Sequence, residues 1–229
     1  MRICSVILFP VVFIFSLVAF SCAQAGPTIQ ASSVKLLLVQ GPSGEFSERL
    51  SVFVLYDDPD GKEDFASIMV RHDDSDMFWI VDTSNATVRV RGPDRWIGTS
   101  EFAPPSGSTF PEGDYTVIAS DLTGNEAYHT FVLAEIEFPE NAPVRFSLEG
   151  DLWTMERNEK NAGFTENFLF VFNNEPRLIH IWQMPAADTK SLGDLDTFRQ
   201  QFSDATFIQV YSEKADGKAG VLLSPVDMQ

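Results

Sequence analysis

This 229-residue chain predicts a mainly β protein organised around an antiparallel β-sandwich. Three observations carry that expectation. From Val34 on, apolar residues fall in runs of about five to seven, too short for helices and bounded by Gly, Pro, Asp and Asn clusters. Several of these runs alternate in polarity with the two-residue period of a strand. Seven of them lie within roughly 100 residues, the strand density of a sandwich.

Taken in order, residues 34–39 (V-K-L-L-L-V) end at G-P-S-G, and residues 50–56 (L-S-V-F-V-L-Y) end at D-D-P-D-G. Residues 66–70 and 77–81 are apolar runs joined by R-H-D-D-S-D, a solvated hairpin tip, and the second contains Trp79, a core candidate. In residues 87–91 (T-V-R-V-R), Val88 and Val90 alternate with Arg89 and Arg91, which predicts a half-buried strand. Residues 91–98 (R-G-P-D-R-W-I-G) read as a loop carrying Arg95 and Trp96. Residues 115–120 and 128–133 then flank D-L-T-G-N, a hairpin connection.

The segment P-E-G-D-Y-T-V-I-A-S-D-L-T-G-N-E-A-Y-H-T-F-V-L (residues 111–133) resembles the last hairpin of bacterial immunoglobulin-like and fibronectin-III-like domains. Tyr115, Val117, Asp121, Gly124 and Asn125 fit that pattern. The resemblance implies that Tyr115 docks its hydroxyl on the preceding corner and that Asp121 to Asn125 make the turn. Y-D-D-P-D-G-K-E-D-F (residues 56–65) likewise resembles the D-x-D-G-x-x-D corner of such domains in spirochaetal lipoproteins. The scaffold serves adhesion, ligand binding and structural spacing alike, so it implies a fold and no activity.

F-P-E-N-A-P (residues 138–143) marks a boundary. Beyond it, F-L-F-V-F (168–172) and L-I-H-I-W (178–182) flank N-N-E-P-R as a second hairpin. Ser191 with Asp194 forms a capping-box pattern for a helix near 191–202, whose apolar face is Leu192, Leu195, Phe198 and Phe202. T-F-I-Q-V-Y and A-G-V-L-L close the chain as strands. The predicted organisation is a signal peptide at 1–21, a flexible tether at 22–33, and an immunoglobulin-like sandwich at 34–138. A smaller β-rich unit with one helix follows at 139–229, packed on the first or extending its sheet.

The N-terminus is an address. Arg2 precedes an uncharged apolar run, then S-C-A-Q-A-G-P, and no charge recurs before Lys35. V-A-F-S-C resembles a lipobox of the relaxed spirochaetal kind, with Ala19 and Phe20 departing from the usual pattern, and implies lipidation at Cys22. Ala23-Gln24-Ala25 also fits an ordinary signal-peptidase site releasing Gly26, and an uncleaved anchor is the third option, against which Pro10 argues. Of the two cysteines, Cys4 lies in the signal, so the exported chain has no internal disulfide.

A net charge of −17 disfavours nucleic acid and bare anionic lipid as partners and suits a solvated envelope protein. No nucleophile-elbow, zincin, phosphate-loop or dinucleotide motif occurs, and His72, His129 and His180 stand at no metal-ligand spacing. No cofactor is expected. Asp58, Asp60 and Asp64 around Gly61 are a weak calcium candidate whose Asp-Pro-Asp-Gly core is also an ordinary turn. Arg95 with Trp96 is the candidate interface, weighed against a tryptophan folded over the end of the sandwich. The expected role is a cell-envelope lipoprotein acting as a non-catalytic binding or structural module. Its partners would be the membrane, through the lipid, and another envelope protein. The alternative is a freely periplasmic or surface protein that binds a small ligand or carbohydrate.

Overall fold

The computed structural model describes residues 25–105, 108–160, 163–185 and 188–228. Residues 1–21, expected to form a signal peptide, and Cys22 lie outside the described residues. The protein is mainly β, with two face-to-face sandwiches sharing one long sheet.

In the first sandwich, one layer consists of β1 (Thr28–Gln40), β2 (Phe46–Asp57), β6 (Asp94–Phe102) and β5 (Thr87–Arg91), adjacent in that order. The facing layer runs β4 (Phe78–Asp82), β3 (Phe65–His72), β7 (Gly113–Asp121) and β8 (Glu126–Leu133). This strand order, with every pair antiparallel, is an immunoglobulin-type arrangement. Alternation dictates the core. Leu50, Val52, Val54 and Tyr56 on β2 meet Ile68 and Val70 on β3 and Tyr115, Val117 and Ala119 on β7, all buried. Each large apolar side chain so buried contributes about 1.5–3 kcal/mol.

The Tyr115 corner forms. Its side chain is 0% exposed and its hydroxyl donates to the Pro111 carbonyl at 2.7 Å. The ring stacks on Phe131 at 5.0 Å and leans on His72 at 4.9 Å. His72 is a satisfied core histidine, with Nδ1 2.8 Å from the Ser75 hydroxyl and Nε2 3.1 Å from the Glu112 carbonyl. At the other end of β7, the Asp121 carboxylate accepts from the backbone N–H groups of Thr123 and Asn125 and from both their side chains. Gly124, at φ +88°, supplies the left-handed residue that this turn needs.

Among the described residues the second sandwich repeats the two-layer plan. β9 (Val144–Glu149), β10 (Leu152–Arg157) and β13 (Lys190–Asp194) form one layer, ordered β13-β10-β9. β11 (Phe164–Asn173), β12 (Leu178–Met184), β14 (Ala205–Lys214) and β15 (Ala219–Leu222) form the other, ordered β12-β11-β14-β15. The short β16 (Val226–Asp227) pairs with β14. Its core gathers Trp153, Met155, Leu169, Val171, Ile208 and Val210. The helix α1 (Leu195–Gln201) connects β13 to β14 and is shorter than expected. Asp194, not Ser191, is its cap, accepting from the Thr197 N–H at 2.6 Å. Residues 190–194 are drawn into a strand against β10, which leaves Leu192 64% exposed and off the helical face.

The unit at 139–229 extends the first sheet. β15 pairs in parallel with β1, from Leu36 opposite Ala219 to Val39 opposite Leu222. Lys35 and Glu213 form an ion pair across this seam, and the Ser224 hydroxyl donates to the Gly41 carbonyl at 2.8 Å. The tether expected at 22–33 is shorter than its composition suggests. β1 already begins at Thr28, because Thr28 to Ser33 find partners in Phe53 to Asp57. The expected half-burial of Val88 and Val90 also fails, since β5 lies past the cover of the facing layer and all five of its residues are exposed.

Candidate functional site

Register fixes which face of the shared sheet is covered. Leu36, in the first core, lies opposite Ala219, and Leu38 lies opposite Val221, which in turn faces Ser212. Val210 and Ile208, two and four residues before Ser212, belong to the second core. Residues at even spacing share a face, so both partner layers cover the same side of the sheet. The opposite side is open from β12 to β5.

On the second sandwich that open side is aromatic. Phe168, Phe170 and Phe172 alternate with the buried Leu169 and Val171 on β11, and their neighbours on β14 are Tyr211, Gln209 and Phe207. Phe172 stacks on Phe207 at 4.8 Å, and Phe170 stacks on Tyr211 at 5.6 Å. Ile181, opposite Phe170 on β12, is 51% exposed. Gly220 makes room for this arrangement: a Cβ there would lie 2.4 Å from the Tyr211 ring. Burial against the sheet and the nearby Glu213 push the Tyr211 hydroxyl's pKa up.

On the first sandwich the same side is cationic. Arg89 lies 3.7 Å above the Phe53 ring, and with Arg91, Trp96 and Ser33 it surrounds a shallow dish of about 110 Å³. Burial first, and the charge of Arg91 second, lower the pKa of the Arg89 guanidinium. The loop expected around Trp96 is shorter than its composition suggests: Trp96 sits within β6, paired with Leu55 and Arg89, because Gly92 and Pro93 alone make the hairpin tip. Arg95 does not join it. Neighbours in a strand point to opposite faces, and Arg95 lines a separate cleft with Gln30, Tyr56, Asp57 and Asp58. Arg89 and Arg91 take its place, and alternation in T-V-R-V-R was the signal for them.

The aromatic half was missed in the sequence. F-L-F-V-F is apolar on both faces, which is equally the pattern of a strand buried on both sides. A second apolar strip, with Phe78 58% and Tyr128 62% exposed, crosses the outer face of the β4-β3-β7-β8 layer, where Arg71 is paired with Asp73 at 3.2 Å.

Asp58, Asp60 and Asp64 do converge, with a carboxylate oxygen from each within 4.8 Å of the others. Asp58 is engaged in the turn, accepting from the Asp60 N–H at 2.9 Å and from the Tyr56 hydroxyl at 2.8 Å. Partial burial and the charges of Asp121, Asp58 and Asp60 raise the pKa of the Asp64 carboxyl. The cluster therefore crowds three acids around a turn. His180 packs on Phe202 at 4.5 Å, a structural position.

No family model and no curated protein matches the chain. Among solved structures, the chain aligns with the central fibronectin-III array of RIM-binding protein at 12% identity and a TM-score of 0.24. The alignment covers 91% of this chain, which spans 65% of that array. The fold assignment rests on the strand order and the Tyr115 corner. Among the described residues, no helix is long and apolar enough to cross a membrane.

Proposed function

We propose that this chain is an exported cell-envelope lipoprotein, held on a membrane by an acyl group at Cys22, and that it works as a non-catalytic binding or structural module. The carrying observation is the open face of the shared sheet, where stacked aromatics and arginines are left without a covering layer. A row of partly exposed aromatic rings with no layer packed over it, bordered by polar groups, marks an interaction site. Aromatic and arginine side chains are also the ones that dominate binding energy at protein contacts. The breadth of the site, which runs across the whole shared sheet, favours a macromolecular partner such as another envelope protein. The dish beside Arg89, at about 110 Å³, is well below the roughly 300 Å³ of a small-molecule site, so this face itself does not favour a sugar or other small ligand. The lipobox-like V-A-F-S-C and the uncharged run before it support the tether and the bacterial envelope.

Two measurements test this. Clickable fatty acid should label the exported wild type and not a Cys22→Ala variant; label in neither, with a mature N-terminus at Gly26, removes the lipid. For the module, a photo-crosslinking residue at Tyr211 should capture protein in the envelope, whereas the same probe at Tyr128 on the outer β8 face should not. Equal capture from both faces, or none from Tyr211, refutes the open face as the working surface.

A further inference from the structure

We propose that the open face is occupied by a second copy of this chain, turned by a two-fold axis that runs parallel to the β1–β15 seam about 5 Å above the sheet, midway between the two faces. This deepens the binding-module reading by naming the partner, and it does not depend on the lipid. Four observations favour a second copy.

The first is the division of the face at the seam: the aromatic rings share one half with Glu166 and Glu213, and the other half carries Arg89 and Arg91, with Asp94 opposite Arg91. A two-fold contact must be self-complementary. An axis running across the strands would set Arg89 and Arg91 on their own counterparts, and like charges in contact repel. The axis along the seam instead sets them over Phe170 and Ile181 of the other copy. The second is that the favourable pairing already exists within one chain, in Arg89 resting on Phe53 at 3.7 Å.

The third is shape. A sheet of eight strands side by side is strongly twisted, hence saddle-shaped. A saddle turned about a two-fold in this direction keeps its own shape, so the twist leaves the two faces parallel throughout. A bilayer offers no such match, and anionic lipid repels a chain of net charge −17. The fourth is size. Eight strands at about 4.8 Å spacing and five residues at about 3.3 Å rise give roughly 650 Å² per copy, near the 800 Å² per partner of a stable interface. Gly220, Leu37 and Leu222 lie at the centre of the contact, beside the Lys35–Glu213 ion pair.

The test follows the association of the exported protein, and of its Cys22→Ala variant, by sedimentation velocity up to about 100 μM. Both should dimerise, more tightly at higher salt because the shared negative charge is screened. Phe170→Glu and Arg89→Glu should each weaken the dimer at least about tenfold while the melting temperature is kept. A p-benzoylphenylalanine at position 170 should crosslink to the β5–β6 hairpin of the other copy. Monomers at every concentration, whether or not they bind anionic vesicles, overturn the proposal. So does a dimer indifferent to Phe170→Glu, or crosslinks from position 170 to another chain's β11. Loss of fatty-acid label alone would remove the tether and leave the dimer untouched.

Discussion

Tyr115→Phe isolates one hydrogen bond in the first sandwich. The substitution keeps the ring, which is 0% exposed and stacked on Phe131 with an interplanar angle of 9°. It removes only the hydroxyl that donates to Pro111 at 2.7 Å. Loss of a net intramolecular hydrogen bond costs about 0.5–1.5 kcal/mol, and a carbonyl left buried and unpaired adds to that. Pro111 is half-buried, so water reaches the freed oxygen and the expected loss is about 1–1.5 kcal/mol. For a chain of this length that lowers the melting temperature by roughly 2–6 °C. Tyr115→Ala also deletes the ring contacts and should lose about 3–5 kcal/mol. Urea denaturation of the three proteins separates the contributions. If Tyr115→Phe matches the wild type, the corner is only a packing feature. If it matches Tyr115→Ala, the hydroxyl has a role that the geometry does not describe.

Gly98→Ala should lose at least about 3 kcal/mol or fail to fold, since the new Cβ would fall 1.9 Å from the Val52 carbonyl oxygen on the neighbouring strand; a variant of normal stability in urea would show that this close approach is not real. Asp64→Asn should raise the melting temperature at pH 7 by removing one of the crowded carboxylates, and a fall would mean that the Asp64 charge is used. Acid should destabilise the fold. The Asp82 carboxylate is held low by the Ser84 hydroxyl and backbone, and the Asp194 carboxylate by Thr197. For Asp121, burial pulls upward but is overbalanced by hydrogen bonds from Asn125 and Thr123. Their folded values lie below the unfolded ones, so their stabilisation is present above about pH 4 and is lost as pH falls through that region. Asp64 contributes with the opposite sign. In Asp121→Asn the acid limb of the melting-temperature profile should flatten, and an unchanged limb would remove Asp121 from the account.

The first sandwich is legible because its strands are short apolar runs closed by strong turn signals. V-R-V-R and the runs ending in D-x-D-G or D-x-x-G-N announce both period and turn, and Tyr115 announces the corner. The β5–β6 tip reads as too long in the sequence because Gly92 and Pro93 lend their turn character to Asp94 and Arg95, which are already in a ladder with β5. The second sandwich hid for a different reason. Phe168, Phe170 and Phe172 face open space while Leu169 and Val171 face the core, so no alternation was visible. Ser191 mimicked a cap because Asp194 stands three residues on, yet Asp194 is the residue whose carboxylate meets a free N–H. Nothing local encodes the pairing of β1 with β15. Leu36 and Ala219 are brought together only once both sandwiches exist, and the composition of either strand fits an edge equally well.

The parallel seam gives the molecule a mechanical direction. β1 begins the described chain, and β15 lies close to its end. Tension applied between the two termini therefore slides these strands along each other instead of peeling them apart. The backbone hydrogen bonds of the seam would have to break together, assisted by the Lys35–Glu213 pair and by Ser224 on Gly41. A load drawn through the ends meets the seam in shear, with its bonds loaded together, while a load across the strands would meet them one after another.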